Sequence, residues 1–221
     1  MNTLIRLIFT AIIATTLSIP AQATLIGGMV TGGSSGGSYQ ELSVPFIAPA
    51  SGTTAVGEDT FQTNNLYAFN EDQNIVITTP ITVDIGINLT FGTTVASHYI
   101  FFDPAGTSLT SISGYVDFDA KVLGILTSTG LLAATDFLAN TGVTYLNPGL
   151  RGLESGDFAG INTTYDYRVD LNWGASTPGD YIRVLTERSI LADVPEPSTI
   201  ILFTLGIAGL VFTRRKTAYS H

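Results

Sequence analysis

Ser111-Ile112-Ser113-Gly114-Tyr115-Val116-Asp117-Phe118 alternates without a break: Ile112, Gly114, Val116 and Phe118 share one side, and Ser111, Ser113, Tyr115 and Asp117 the other. A period of two is the signature of a strand with one face buried and one face wet. Working outward, residues 122–127 form a short apolar run, and residues 95–102 are aromatic-rich. Residues 74–78 are β-branched, while residues 81–85 and 85–89 each alternate strictly. Tyr165-Asp166-Tyr167-Arg168-Val169-Asp170-Leu171 alternates again, and Tyr181-Ile182-Arg183-Val184-Leu185-Thr186 closes the series. Turn residues punctuate these runs at Asp103-Pro104-Ala105-Gly106, Asn147-Pro148-Gly149 and Thr177-Pro178-Gly179-Asp180. The pattern predicts an all-β, antiparallel β-sandwich of jelly-roll or Ig-like type. One helix is expected over residues 133–140, with Thr135 or Asp136 able to cap it.

Both ends of the 221-residue chain read as targeting segments. At the front, Arg6 precedes an apolar run from Leu7 to Leu17, and the segment closes on Ala21-Gln22-Ala23. That is the order of a secretory signal peptide over residues 1–23, with signal peptidase cutting after Ala23. Residues 24–38 are rich in Gly and Ser and are expected as a flexible leader, so the sandwich is placed at residues 39–193. At the far end, Val194-Pro195-Glu196-Pro197-Ser198 leads into an apolar stretch, residues 199–213, and Arg214, Arg215 and Lys216 follow. The stretch predicts a short transmembrane helix stopped by a basic cluster whose charges favour a cytoplasmic C-terminus. The prolines keep the preceding backbone extended and accessible.

The composition narrows function further. With 17 acids against 5 bases between Thr24 and Asp193, the middle carries a net charge of 5 − 17 = −12. Such a surface repels phosphate backbones, so no nucleic-acid partner is expected. Cysteine is absent, which removes disulfides, thiolate zinc sites and cysteine nucleophiles together. His98 is the one histidine of the middle; a Ser-His-Asp device would need it with Asp84 or Asp103, but it stands inside an aromatic run and there is no Gly-x-Ser-x-Gly elbow. The carboxylate pairs Glu58-Asp59, Glu71-Asp72, Asp117/Asp119 and Glu154/Asp157 could serve a glycosidase, although a solvated outer face explains them as well. No enzyme activity and no cofactor are expected, beyond a structural Ca2+ held by oxygen donors among Glu71, Asp72, Asp117 and Asp119. The tyrosines Tyr39, Tyr67, Tyr99, Tyr115, Tyr145, Tyr165, Tyr167 and Tyr181, with Trp173, fit either core packing or a sugar-stacking platform.

Pro195-Glu196-Pro197, the short apolar span and the basic end Arg214-Arg215-Lys216, in that order at the terminus, resemble the PEP-CTERM sorting signal over residues 194–216. The resemblance implies export in a Gram-negative bacterium that makes exopolysaccharide. It also implies an inner-membrane-anchored precursor, recognition by an exosortase, and a mature form at the cell surface or in the extracellular matrix of a biofilm. The stretches at residues 97–104, 114–119 and 178–186 are similar to segments that recur in one group of sorting-signal proteins, and they imply no chemistry. An exported carbohydrate-active enzyme and a calcium-stabilised adhesion or carbohydrate-binding module are the alternatives.

Overall fold

The computed structural model describes residues 23–188. Residues 194–216, with the expected span 199–213, and all of the signal segment before Ala23 lie outside the described residues.

The alternating stretch is the centre of the first sheet. β8 (Thr110–Phe118) pairs antiparallel with β1 (Leu25–Gly32) on one side and β12 (Arg168–Ala175) on the other, and β11 (Phe158–Ile161) completes sheet A on the far side of β12. Burial along β8 follows the sequence period, with Ile112, Gly114, Val116 and Phe118 inward. Sheet A therefore has one buried and one wet face, as antiparallel sheets commonly do.

Sheet B is different in kind. It runs β2 (Tyr39–Leu42), β4 (Leu66–Asn70), β7 (Thr94–Phe102), β13 (Asp180–Glu187), β9 (Val122–Leu126) and β6 (Ile85–Gly86), and β5 (Ile75–Val76) also pairs with β7. β7 and β13 are buried along nearly their whole length, which requires cover on both faces. On one face Leu66, Ala68, Ile100, Phe102, Ile182 and Val184 pack against Val116, Phe118, Leu171 and Trp173 of sheet A. On the other, Tyr67, Phe69, Tyr99, Phe101, Tyr181 and Leu185 pack under a cap of loops that contributes Phe46, Val56, Phe61, Leu132, Leu138 and Val143. Tyr67, Phe101 and Tyr181 stack in sequence across three strands, with ring centroids 5.2 and 5.9 Å apart. The cap also holds a small parallel pair, β3 (Ala55–Val56) with β10 (Thr144–Tyr145), and a second parallel pairing joins β2 to β4.

The Gly/Ser leader expected over residues 24–38 is corrected: β1 occupies Leu25–Gly32 and β2 begins at Tyr39. Side-chain composition hid this, because β1 is held through its backbone to β8 and through Leu25 N to Asn70 Oδ1. The helix expected over residues 133–140 is also displaced. α1 is Thr129–Ala134, and a 3₁₀ turn, Asp136–Leu138, follows it. Thr135 ends α1, its hydroxyl donating back to Leu131 O at 2.7 Å. The expected strand over residues 165–171 starts later, at Arg168, because Asn162 Oδ1 accepts from the backbone of Thr164 and Tyr165 and folds that segment into a turn. Finally, both ends of the domain meet the β8–β9 turn. Thr24 N donates to Asp119 Oδ1 at 2.8 Å, and Glu187 N donates to Lys121 O at 2.8 Å.

Candidate functional site

Several of the polar groups inside the sandwich are paired to one another. On the capped face of sheet B, Arg183 Nε and Nη2 donate to Glu71 at 2.6 and 2.9 Å, and Arg183 Nη1 donates to Leu132 O and Thr135 Oγ1 at 3.0 and 2.8 Å. Ser97 Oγ adds a donation to Glu71 Oε2 at 2.6 Å. Both side chains of the ion pair are fully buried. Arg183 thus ties the sheet to the carboxyl end of α1. Nearby, Arg151 grips Asp136 in a two-pronged pair at 2.9 and 2.7 Å.

On the opposite face of the same strands, His98 is fully buried beside Phe118, their ring centroids 4.7 Å apart. Its Nδ1 lies 2.8 Å from Asn70 Oδ1 and its Nε2 lies 3.0 Å from Thr186 Oγ1. An amide oxygen can only accept, so Nδ1 carries the proton and Thr186 donates to Nε2. Burial pushes the imidazole pKa down to about 3, so it stays neutral at neutral pH. Neither expected orienter reaches it: Asp84 accepts from Thr127 N and Ser128 N, and Asp103 from Phe61 N.

The four carboxylates expected as calcium ligands are not brought together. Glu71 is occupied by Arg183 and Ser97 on the capped face of sheet B. Asp72 follows it at the edge of a cleft of about 300 Å³ that Glu41 also lines. Asp117 faces outward from sheet A and holds Arg168 at 2.6 and 2.8 Å, while Asp119 accepts from Thr24. Among the described residues, no group of three or more His, Asp or Glu side chains is placed to hold a metal ion. Of the expected cleavage residues, Ala23 is buried against Ala96 and Ala120, and Ala21 lies outside the described residues.

The outer face of sheet A gathers a different set. The Arg168 guanidinium, already held by Asp117, lies over Tyr115 with its carbon 3.6 Å from the ring centroid and 5.1 Å from that of Tyr165. Tyr165 and Tyr167 follow at 5.7 Å between centroids and are 44% and 36% exposed. Phe158, on the neighbouring strand, is exposed and folds across Gly160. Polar groups rim these rings: Asn162 Nδ2 donates to Asp170 Oδ2 at 2.7 Å, and Ser113 Oγ donates to Asn172 Oδ1 at 3.0 Å. The structure therefore sorts the tyrosines. Tyr67, Tyr99 and Tyr181, with Trp173, are core, and Tyr115, Tyr165 and Tyr167 belong to a surface patch. The strand parity of Tyr115, Arg168 and Asp170 carried that signal; Phe158 offered none.

A family model described as PEP-CTERM protein-sorting motif matches residues 193–216. This chain carries a PEP-CTERM sorting motif. It is thereby marked as an exported, surface-directed protein that an exosortase processes. Pro195, Glu196 and Pro197 and the basic residues Arg214, Arg215 and Lys216 fall within the matched PEP-CTERM segment. No curated protein and no solved structure matches the chain.

Proposed function

We propose that this chain is a non-enzymatic cell-surface or extracellular-matrix protein of a Gram-negative bacterium whose sandwich contacts exopolysaccharide through the outer face of sheet A. Signal peptidase removes residues 1–23. Residues 199–213 then hold the precursor in the inner membrane until an exosortase acts at Pro195-Glu196-Pro197.

The observation that carries the polysaccharide contact is the row of half-buried Tyr115 and Arg168 with exposed Tyr165 and Tyr167. Sugar rings present C–H faces that pack on flat aromatic surfaces, while their hydroxyls bond to carboxylates and amides of the kind that Asp117, Asp170 and Asn172 supply here. Binding of the purified exopolysaccharide to the exported protein tests this. Tyr165→Ala and Tyr167→Ala should each weaken binding, together by roughly tenfold or more, at about 1 kcal/mol per lost stacking contact. Unchanged affinity in the double variant would remove this face from the reading. For sorting, replacing Pro195-Glu196-Pro197 with alanines should leave an uncut, membrane-bound precursor; normal release would overturn it.

A hydrolytic reading draws on one observation. Glu41 and Asp72 line the same cleft, and burial raises the pKa of both, with Glu71 adding to the effect on Asp72. Polysaccharide turnover that is lost in Asp72→Asn while the fold survives would favour that reading instead.

A further inference from the structure

At the end of the sandwich away from the β8–β9 turn, a cavity of about 150 Å³ opens between the turn at residues 176–179 and the segment at residues 149–154. Asp180, the first residue of β13, and Glu154 both line it. Asp180 is 2% exposed, and its Oδ2 has no hydrogen-bond partner. A buried carboxylate oxygen without a donor is costly, because the lost hydration is not replaced. The surroundings worsen that cost. Burial, then Asp157, then Glu154 push the Asp180 pKa up to about 8. Asp157 is itself fixed, accepting from Gly174 N at 2.8 Å and from Glu154 N at 3.0 Å. The cation among the lining residues, Arg151, commits both its Nη groups to Asp136.

We propose that Asp180 and Glu154 are the side-chain ligands of a calcium site in this cavity, completed by backbone carbonyls of the surrounding loops and by water. Calcium suits the place: it takes oxygen donors of mixed kind in irregular geometry, whereas magnesium demands a tight octahedron. Two carboxylates with neutral donors set an affinity of about 10⁻⁴–10⁻³ M, the range of extracellular modules. The cation would give Asp180 Oδ2 its missing partner and would neutralise a cluster of three acids. The site is separate from the outer face of sheet A and does not depend on the saccharide reading.

The test is thermal melting of the intact chain in detergent micelles at pH 8, with chelator and then with about 5 mM CaCl2 or MgCl2. Wild type should melt about 3–6 °C higher in CaCl2 and respond less to MgCl2. Asp180→Asn should melt no lower than wild type in chelator, since it replaces a buried charge with a neutral amide, and should lose the calcium response. Glu154→Gln should lose most of it, and Asp166→Asn, on an exposed turn, should keep it. A wild type indifferent to CaCl2, or an Asp180→Asn variant with the full response, overturns the site. So does a loss of response in Asp166→Asn.

Discussion

His98 and Arg183 project from opposite faces of sheet B and meet burial in opposite ways. Arg183 keeps its charge, because Glu71 takes two of its donors, Leu132 O and Thr135 one each, and Asp136 Oδ1 another at 3.4 Å. Removing one partner should therefore cost far more than removing both. Glu71→Gln should lower the unfolding free energy by about 3–5 kcal/mol in urea titration, and the pair Glu71→Leu with Arg183→Met should recover much of that loss. His98 instead gives up its charge. Its folded pKa, about 3, lies below the unfolded value, so as pH falls from about 6.5 toward 3 the unfolded chain binds a proton that the folded chain refuses. Stability should drop through that window, and His98→Gln should flatten the drop in urea midpoints measured from pH 7 to pH 3. Asp103 acts with the other sign. Burial is the main cause that pushes its pKa up to about 6, and Asp59 adds to it. The folded state then holds a proton that the unfolded chain releases above about pH 4. Stability should fall as pH rises from about 4 to 6, and Asp103→Asn should remove that component.

At the scale of elements, β1 depends on how closely its backbone approaches β8. A Cβ on Gly114 would lie 2.3 Å from the Met29 carbonyl oxygen, so Gly114→Ala must push β1 away. Hydrogen exchange should accelerate across Leu25–Gly32, with a global loss of about 1–3 kcal/mol. The same strand shows where sequence reasoning succeeds and fails. β8 was legible because every second side chain is apolar, and β7 and β13 because dense apolar runs leave little else to do. β1, reading Leu-Ile-Gly-Gly-Met-Val-Thr-Gly, signals linker, since its order comes from partner backbone and not from its own side chains. β2 and β4 were unread for a related reason: each is short, and β2 pairs in parallel with a strand distant in sequence. The outer patch was half legible. Tyr115, Asp117, Arg168 and Asp170 fall on one parity, but their assembly needs the register that sets Arg168 opposite Asp117. Asp180 gave no sign of its isolation, because a carboxylate in a Pro-Gly-Asp turn reads as solvated until burial is known.

For the whole molecule, the charge balance of −12 over residues 24–193 sets how it meets other polymers. Approach to an anionic polysaccharide should be opposed at low ionic strength and eased as salt shortens the screening length to about 10 Å at 0.1 M. Retention on immobilised anionic exopolysaccharide should therefore rise between about 10 and 150 mM NaCl, and retention on a neutral one should stay level. Retention that falls with salt would instead identify a local basic contact, and Arg168 would be the first residue to replace.

Thr24 and Glu187 are stitched to the same short turn, Asp119 to Lys121, so the polypeptide enters and leaves the sandwich at one pole. The sorting motif begins a few residues beyond that exit. The loops around Asp103 and Asp180 stand at the other end of β7 and β13, a full strand length from where the chain comes in and goes out.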